Sequence, residues 1–338
     1  MDIIEKINKE VNYIDTVAAI KLCMISTTAR DELEFSVLPR RSIGQYQAIS
    51  FLVANQNEVT TILEKVDGRV DYIFVDQESK QSYKLFNYSC LMVKESKLIG
   101  YKPNDATVEA TDLLVRDHFK DKFDDKSIII IGTGNIAAKL ALRFKERGAN
   151  IHVYGRNYTK AVQVVTGINY ILPKKEAPIN VVKDLNTIKY QDVLISFVSA
   201  KHYVSGDFIN LLKEQNSLAI DGGINNFSEQ FIKNTNRIGI ASVRLDVRLG
   251  FAYTLQKVIP ETYSFLNEVK GKKFINKIEI VAGGVIGKKG SIIVDSINAP
   301  SQIVGVANGT GGIINEFEYT EQDKRRLSII KEYMERIF

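Results

Sequence analysis

SIIIIGTGNIAAKLALRFKERGANIHVYGRN, Ser127 to Asn157, is the stretch that decides the fold class. Ile128 to Ile131 form an unbroken β-branched run, the pattern of a parallel strand buried on both faces. The run enters Gly132-Thr133-Gly134-Asn135-Ile136-Ala137, after which Ile136, Leu140 and Phe144 recur at helical spacing. A second apolar strand, IHVYG, follows. Strand, G-x-G-x-x-A turn, helix and strand in this order are the signature of a dinucleotide site. The unpaired N–H groups at the helix N-terminus favour a pyrophosphate there. Gly132 permits the tight turn, Gly134 lets phosphate approach the backbone, and Ala137 lets the helix pack on the sheet. Cofactor contacts are therefore expected from Gly132, Thr133, Gly134, Asn135 and Ile136.

The end of the second strand selects the nucleotide. An NAD site places an acidic residue ~20 residues beyond the glycines to hold the ribose hydroxyls. This chain has Tyr154-Gly155-Arg156-Asn157 instead. Arg156 offers a planar fork of donors to a 2′-phosphate, with Asn157, Thr159 and Lys160 nearby, so NADP is expected, with NAD as the alternative. Two later loops should meet the nicotinamide end, because ligands sit beyond the carboxyl ends of parallel strands. One follows LISFVSA and carries Ser199 and Ala200; the other follows LAID and carries Asp221, Gly222 and Gly223, whose paired glycines permit close approach of a ring. Lys201 and His202 read as solvated loop residues.

Working outward, the chain has 338 residues, 45% hydrophobic and 25% charged, enough for two domains and too ordinary for disorder or a fibrous repeat. No tract of about 18 apolar residues is present, and the start is not that of a signal peptide, so a cytoplasmic protein without a membrane partner is expected. Two cysteines and three histidines without ligand spacing argue against a metal. The net charge of +5 is spread along the chain, which does not suit nucleic-acid binding. A small-molecule substrate is expected, and a homodimer is one assembly open to the protein.

The fold class read from these patterns is α/β: a small N-terminal α/β domain (1–115), a Rossmann-type doubly wound nucleotide domain (116–245), and a C-terminal region (246–338) returning to the first domain. In the last, KIEIVAGGVIGKKGSIIVDSI suggests a hairpin around Gly287-Lys288-Lys289-Gly290. The closing helix has an apolar stripe of Leu327, Ile330, Met334 and Ile337, expected to pack on the N-terminal domain.

With these segments in hand, the chain resembles shikimate dehydrogenase and its relatives, and the methylenetetrahydrofolate dehydrogenases. CLMVKESKLIGYKPNDATVEA, Cys90 to Ala110, is similar to the shikimate dehydrogenase segment that runs Asn-Thr-Leu, a turn, then Gly-Tyr-Asn-Thr-Asp. YGRNYTKA resembles that family's Asn-Arg-Thr motif for NADP, and IDGGIN resembles the folate enzymes' Asp-Val-Gly-Ile-Asn. The resemblance covers roughly residues 70–225. It implies a two-domain NAD(P)-dependent dehydrogenase with its substrate in the interdomain cleft. It also places Lys80, at the end of DYIFVDQESK, where the family has its catalytic lysine, without the usual Val-Thr-x-Pro approach. Ser89-Cys90 stands for Asn-Thr, and Lys102-Pro103-Asn104 for Asn-Thr-Asp, with the nearest carboxylate at Asp105. Shikimate is therefore not the expected substrate.

Hydride transfer to or from a carbonyl or imine needs a proton donor at the heteroatom, and a lysine paired with a carboxylate supplies one. Lys80 and Asp105 are the expected pair, with Ser89, Tyr101 and Asn104 as substrate contacts. The expected function is an NADP-dependent oxidoreductase acting on a small polar metabolite. The alternatives are a non-catalytic nucleotide-binding protein and a folate-type dehydrogenase.

Overall fold

The computed structural model describes residues 2–28, 34–259 and 263–336. The chain divides into two compact units, Met1–Thr254 and Leu255–Phe338.

The first unit contains two sheets. Strands β1 (Ile20–Ser26), β2 (Ser36–Ile43), β3 (Tyr46–Leu52), β4 (Tyr72–Asp76) and β5 (Lys97–Tyr101) pair in the order β2-β3-β1-β4-β5. All neighbours are parallel except β2, which lies antiparallel on β3 at the edge. Helix α1 (Ile3–Asp15) buries Ile7, Val11 and Ile14, one stripe at helical spacing, in the same core as Val59, Ile62 and Leu63 of α2 (Gln56–Val66). Because β1, β4 and β5 run parallel, Ser26, Asp76 and Tyr101 all finish at one edge of the sheet. That shared edge forms one side of the candidate site.

After α3 (Leu85–Met92), helix α4 (Pro103–Phe119) leads to the second sheet, with proline in its first turn, where no backbone N–H is needed. Its residues Val108, Ala110, Val115 and Phe119 belong to the core of the nucleotide domain. The boundary drawn at 115/116 therefore falls inside a continuous helix. The second sheet comprises β6 (Ser127–Ile131), β7 (Asn150–Tyr154), β8 (Asn180–Val182), β9 (Val193–Ser196), β10 (Leu218–Asp221) and β11 (Ala241–Arg244). Its order is β11-β10-β9-β6-β7-β8 and every pair is parallel. This is the expected doubly wound fold. Ile128 and Ile130 sit in one core and Ile129 and Ile131 in another, which is why the run is apolar without alternation. Strand order reverses at β6, so the crevice beyond its carboxyl end is the switch point where ligands bind.

The second unit is built on a four-stranded sheet of β12 (Gly271–Ile275), β13 (Ile278–Ala282), β14 (Ile292–Val294) and β15 (Ile303–Val306), in that order. The expected hairpin around Gly287–Gly290 is not formed: β13 and β14 run parallel, with Ile280 opposite Ile292. The hairpin lies one step earlier, where Asn276 and Lys277 both adopt positive φ between β12 and β13. Two consecutive left-handed residues match the right-handed twist of the strands they join. The C-terminal helix (Glu321–Glu335) opens with a capping box from Thr320 and Asp323. Within its own unit, its stripe is buried against this sheet: Ile330 is fully buried with Ile280, Ile292 and Val306, and Leu327 and Met334 pack beside it. An amphipathic helix seals whichever apolar face lies open, and the sheet just before it in the chain provides one. Ile337 lies outside the described residues.

Candidate active site

A cleft of about 1270 Å³ in the first unit runs between the loops of its two sheets. The glycine turn forms one wall. Gly132 has φ +135°, and a Cβ there would meet the Phe197 carbonyl oxygen at 2.7 Å. Only glycine fits where β6 turns beside β9. Gly134 differs: a Cβ would meet no atom within 4 Å, so the space before it is open. It is the N-cap of α5 (Asn135–Glu146) and makes no side-chain cap to the first N–H groups of that helix. Gly134, Asn135, Ile136 and Ala137 line the cleft. Thr133 lies behind them, its methyl group against Gly155.

Ser199, Asp221, Gly222 and Gly223 also line the cleft. The close ring contact foreseen for the paired glycines is made by the chain itself, since a Cβ on Gly222 would overlap the Phe197 ring. The Asp221 carboxylate is spent on the turn, accepting from Gly223 N at 3.1 Å and Asn226 N at 2.9 Å. Asn226, fully buried, ties the two loops together: its side chain donates to the Val198 and Ala200 carbonyls at 2.9 and 3.1 Å and accepts from the Ser196 hydroxyl at 2.9 Å. Between these residues Ile224 is held at φ +64°, a strained conformation for a β-branched side chain.

At the end of β7, Arg156 is exposed, with its guanidinium 5.9 Å from the Tyr203 ring centroid. Burial pushes the Tyr203 phenol up to about 12, and Tyr154 adds to the shift. Asn157 caps α6 (Tyr158–Ile171) by accepting from Lys160 N at 3.0 Å, and Thr159 is exposed on its first turn. Arg156, Asn157 and Thr159 lie outside the main cleft.

A second, inner cavity of about 330 Å³ opens on the carboxyl edge of the first sheet. Lys80 lines it. Its Nζ donates to Asp76 Oδ2 at 2.8 Å and is 3.0 Å from Glu78 Oε2, with the Thr27 carbonyl at 3.5 Å. Burial raises the Asp76 carboxyl above the usual carboxylate range, although the Lys80 charge beside it pulls the other way. Glu78 also accepts from Asn104 N at 3.0 Å, so it joins the lysine to the first turn of α4. Tyr101 and Asn104 line this cavity, and burial raises the Tyr101 phenol.

Two expected residues lie elsewhere. Asp105 does not pair with Lys80: it is bonded to Lys139 of α5 and is 3.3 Å from Lys102. With Glu109–Arg143 at 2.7 Å and Asp112–Arg147 at 2.8 Å, it forms a ladder between α4 and α5. The helix faces this carboxylate toward α5, and Asp76 takes its place beside the lysine. Ser89 is fully buried inside α3, where its hydroxyl donates to the Leu85 carbonyl at 3.0 Å, and it lines neither the cleft nor the inner cavity. The residues that sequence reasoning missed are Asp76, Glu78 and Arg41. A spacing signal existed for the first, since Asp76 precedes Lys80 by four residues at the end of an apolar strand. No local pattern marks Arg41, which reaches the cavity from the antiparallel edge strand β2.

The profile of the family described as Shikimate / quinate 5-dehydrogenase matches residues 114–221, from within α4 to the end of β10. This segment is similar to that family's model, and the match spans less than half of the chain. Among solved structures, shikimate dehydrogenase in complex with NADP+ is 14% identical at a TM-score of 0.43, over 70% of this chain and 89% of that one. L-tryptophan dehydrogenase from Nostoc punctiforme is 12% identical at 0.44, over 72% and 75%. Dipicolinate synthase A chain from Bacillus subtilis is 13% identical at 0.36, over 73% and 98%. No curated protein matches the chain significantly in sequence. Among the described residues no helix is long and apolar enough to cross a membrane.

Proposed function

We propose that the protein is an NADP-dependent oxidoreductase acting on a small polar metabolite, interconverting C–OH and C=O or amine and imine in the cleft of its first unit. The observation that carries this reading is continuity. Leu38, Arg41, Leu52, Asn104 and Thr107 line both the large cleft and the inner cavity, so the glycine turn and Lys80 open on one space. When bound, a nicotinamide nucleotide supplies the hydride acceptor or donor.

The chain's residues fit such a group. The uncapped N-terminus of α5 and the open space before Gly134 suit a pyrophosphate, and the exposed Arg156 fork suits a 2′-phosphate. Lys80 is the proton carrier: its Nζ protonates the substrate heteroatom in reduction and takes the proton back in oxidation. Asp76 and Glu78 hold that ammonium at the cavity wall, which supports a general-acid role worth roughly 10²–10⁴ in rate. The deep placement of Lys80 keeps bulk water from competing for its proton.

The test follows nicotinamide absorbance with NADP+ and a panel of small hydroxy compounds and amines, with wild type beside Lys80→Met. Turnover by wild type, at least about a hundredfold lower in the variant with equal NADPH affinity, is the expected result. A wild type that binds NADPH but turns over no member of the panel points to a non-catalytic nucleotide-binding protein.

A further inference from the structure

The motif Pro39-Arg40-Arg41-Ser42 places two arginines side by side on β2, and the structure treats them in opposite ways. Arg40 points out of the sheet and is neutralised. Its Nε and Nη2 donate to the two Glu10 oxygens at 2.7 and 3.0 Å, and its guanidinium lies 3.4 Å from the Tyr13 ring centroid. Arg41 turns inward and is only 8% exposed. Among the described residues it has no ion pair. Its Nε is buried without a hydrogen-bond partner, and its Nη1 reaches only the Met24 sulfur at 3.4 Å, a weak acceptor. Beyond these, the guanidinium has the Phe251 ring centroid at 6.0 Å, a contact that supplies no anionic oxygen.

A buried charge left unpaired is among the costliest arrangements in a protein, and chains avoid it unless something else supplies the counter-charge. Arg41 lines both the inner cavity and the cleft, so a ligand can supply it there. The other cation of the inner cavity, Lys80, already has Asp76 and Glu78. Asp246, whose charge reaches Arg41 at longer range, is committed to Arg248 through contacts of 2.9 Å. Among the described residues, Arg41 is therefore the cation of this cavity that forms no ion pair, with Glu34 and Asp246 lining the adjoining cleft. The planar fork of a guanidinium matches the two oxygens of a carboxylate, and a single guanidinium in a small cavity suits a carboxylate better than a phosphate, which gathers several donors.

We propose that Arg41 is the anchor for a substrate carboxylate, so that the metabolite acted on beside Lys80 is a hydroxy, oxo or amino acid held by its acid group at Arg41. This rests on the dehydrogenase reading, in that it places the reacting carbon beside Lys80.

The test measures binding of acetate, butyrate and benzoate against acetamide, butyramide and benzamide, on the full chain with and without NADP+. Wild type, Arg41→Met and Arg41→Lys are compared, and NADPH affinity is determined on each sample. The expected result is that a carboxylate binds wild type roughly ten- to a hundredfold more tightly than its amide, as a charged hydrogen-bonded contact implies. Arg41→Met should lose that preference, Arg41→Lys should keep part of it, and NADPH affinity should not change. If wild type shows no preference for carboxylates over amides, the proposal is overturned without reliance on any variant. An Arg41→Met protein that is folded and keeps the full preference overturns it as well. Loss of NADPH binding in wild type would instead sink the dehydrogenase reading, and a carboxylate preference that survives would still belong to Arg41.

Discussion

Gly132 and Gly134 are two residues apart in one turn, and the structure assigns them opposite consequences. Alanine at 132 would have to hold φ near +135°, which costs about 1–3 kcal/mol for a residue with a side chain. Its Cβ would also stand 2.7 Å from the Phe197 carbonyl oxygen, a backbone atom that cannot rotate away. Forcing such a contact apart adds about 1–3 kcal/mol, against roughly 0.4–1 kcal/mol regained because alanine restricts the unfolded chain. The net loss is about 1–6 kcal/mol, or on the order of 2–20 °C in Tm for a unit of this size. Valine at 134 keeps φ at −84° and its Cβ meets nothing within 4 Å, so the expected cost is at most about 1 kcal/mol, roughly 3 °C. Its methyl groups instead occupy the space before the α5 N-terminus. NADPH affinity should then fall roughly ten- to a hundredfold, the worth of a charge-assisted contact or two. Calorimetric melting and NADPH fluorescence titration of both variants decide the matter. Gly132→Ala melting like wild type would refute the close approach of β6 to β9. A folded Gly134→Val that binds NADPH normally would remove the pyrophosphate from this turn.

Arg156→Ala should lower NADP affinity roughly ten- to a hundredfold and leave NAD affinity unchanged, as measured by parallel titrations; equal affinities for both nucleotides in wild type would reject the preference. Asp105→Asn should turn over at near wild-type rate once a substrate is in hand, because its partners are Lys139 and Lys102, whereas Lys80→Met should not; a hundredfold loss in Asp105→Asn would restore it to the chemistry. Asp76 carries a pH signature. Its carboxyl is raised by burial, so its contribution to stability is greatest below the ordinary value of about 3.9 and is lost as pH rises through the folded value. Urea unfolding between acid and neutral pH should therefore show a shallower decline in Asp76→Asn than in wild type, and parallel profiles would contradict the assignment.

The nucleotide half was legible because its signals are local. A four-isoleucine run, a glycine turn and a helical stripe are each set by neighbours in sequence, and the burial of all four isoleucines follows from the absence of polar alternation. The same holds for Lys80, which ends a strand pattern and does line a cavity. What the sequence could not decide was pairing across space. Asp105 lies on a helix whose rotation, set by packing against α5, turns its carboxylate to Lys139, while Asp76 reaches Lys80 because β4 ends at the shared edge. The direction of β14 was likewise hidden. Glycines at 287 and 290 permit a hairpin, but β13 and β14 join a sheet in which they run parallel, and the Asn276-Lys277 turn makes the hairpin instead. Arg40 and Arg41 are indistinguishable as letters. Only the fold, which brings Glu10 to one and leaves the other at a cavity wall with no ion pair among the described residues, separates a part-buried ion pair from a candidate ligand anchor. Local periodicity records which residues are buried, whereas the partner each charge finds depends on contacts between segments far apart in sequence, and those exist only once the chain has folded.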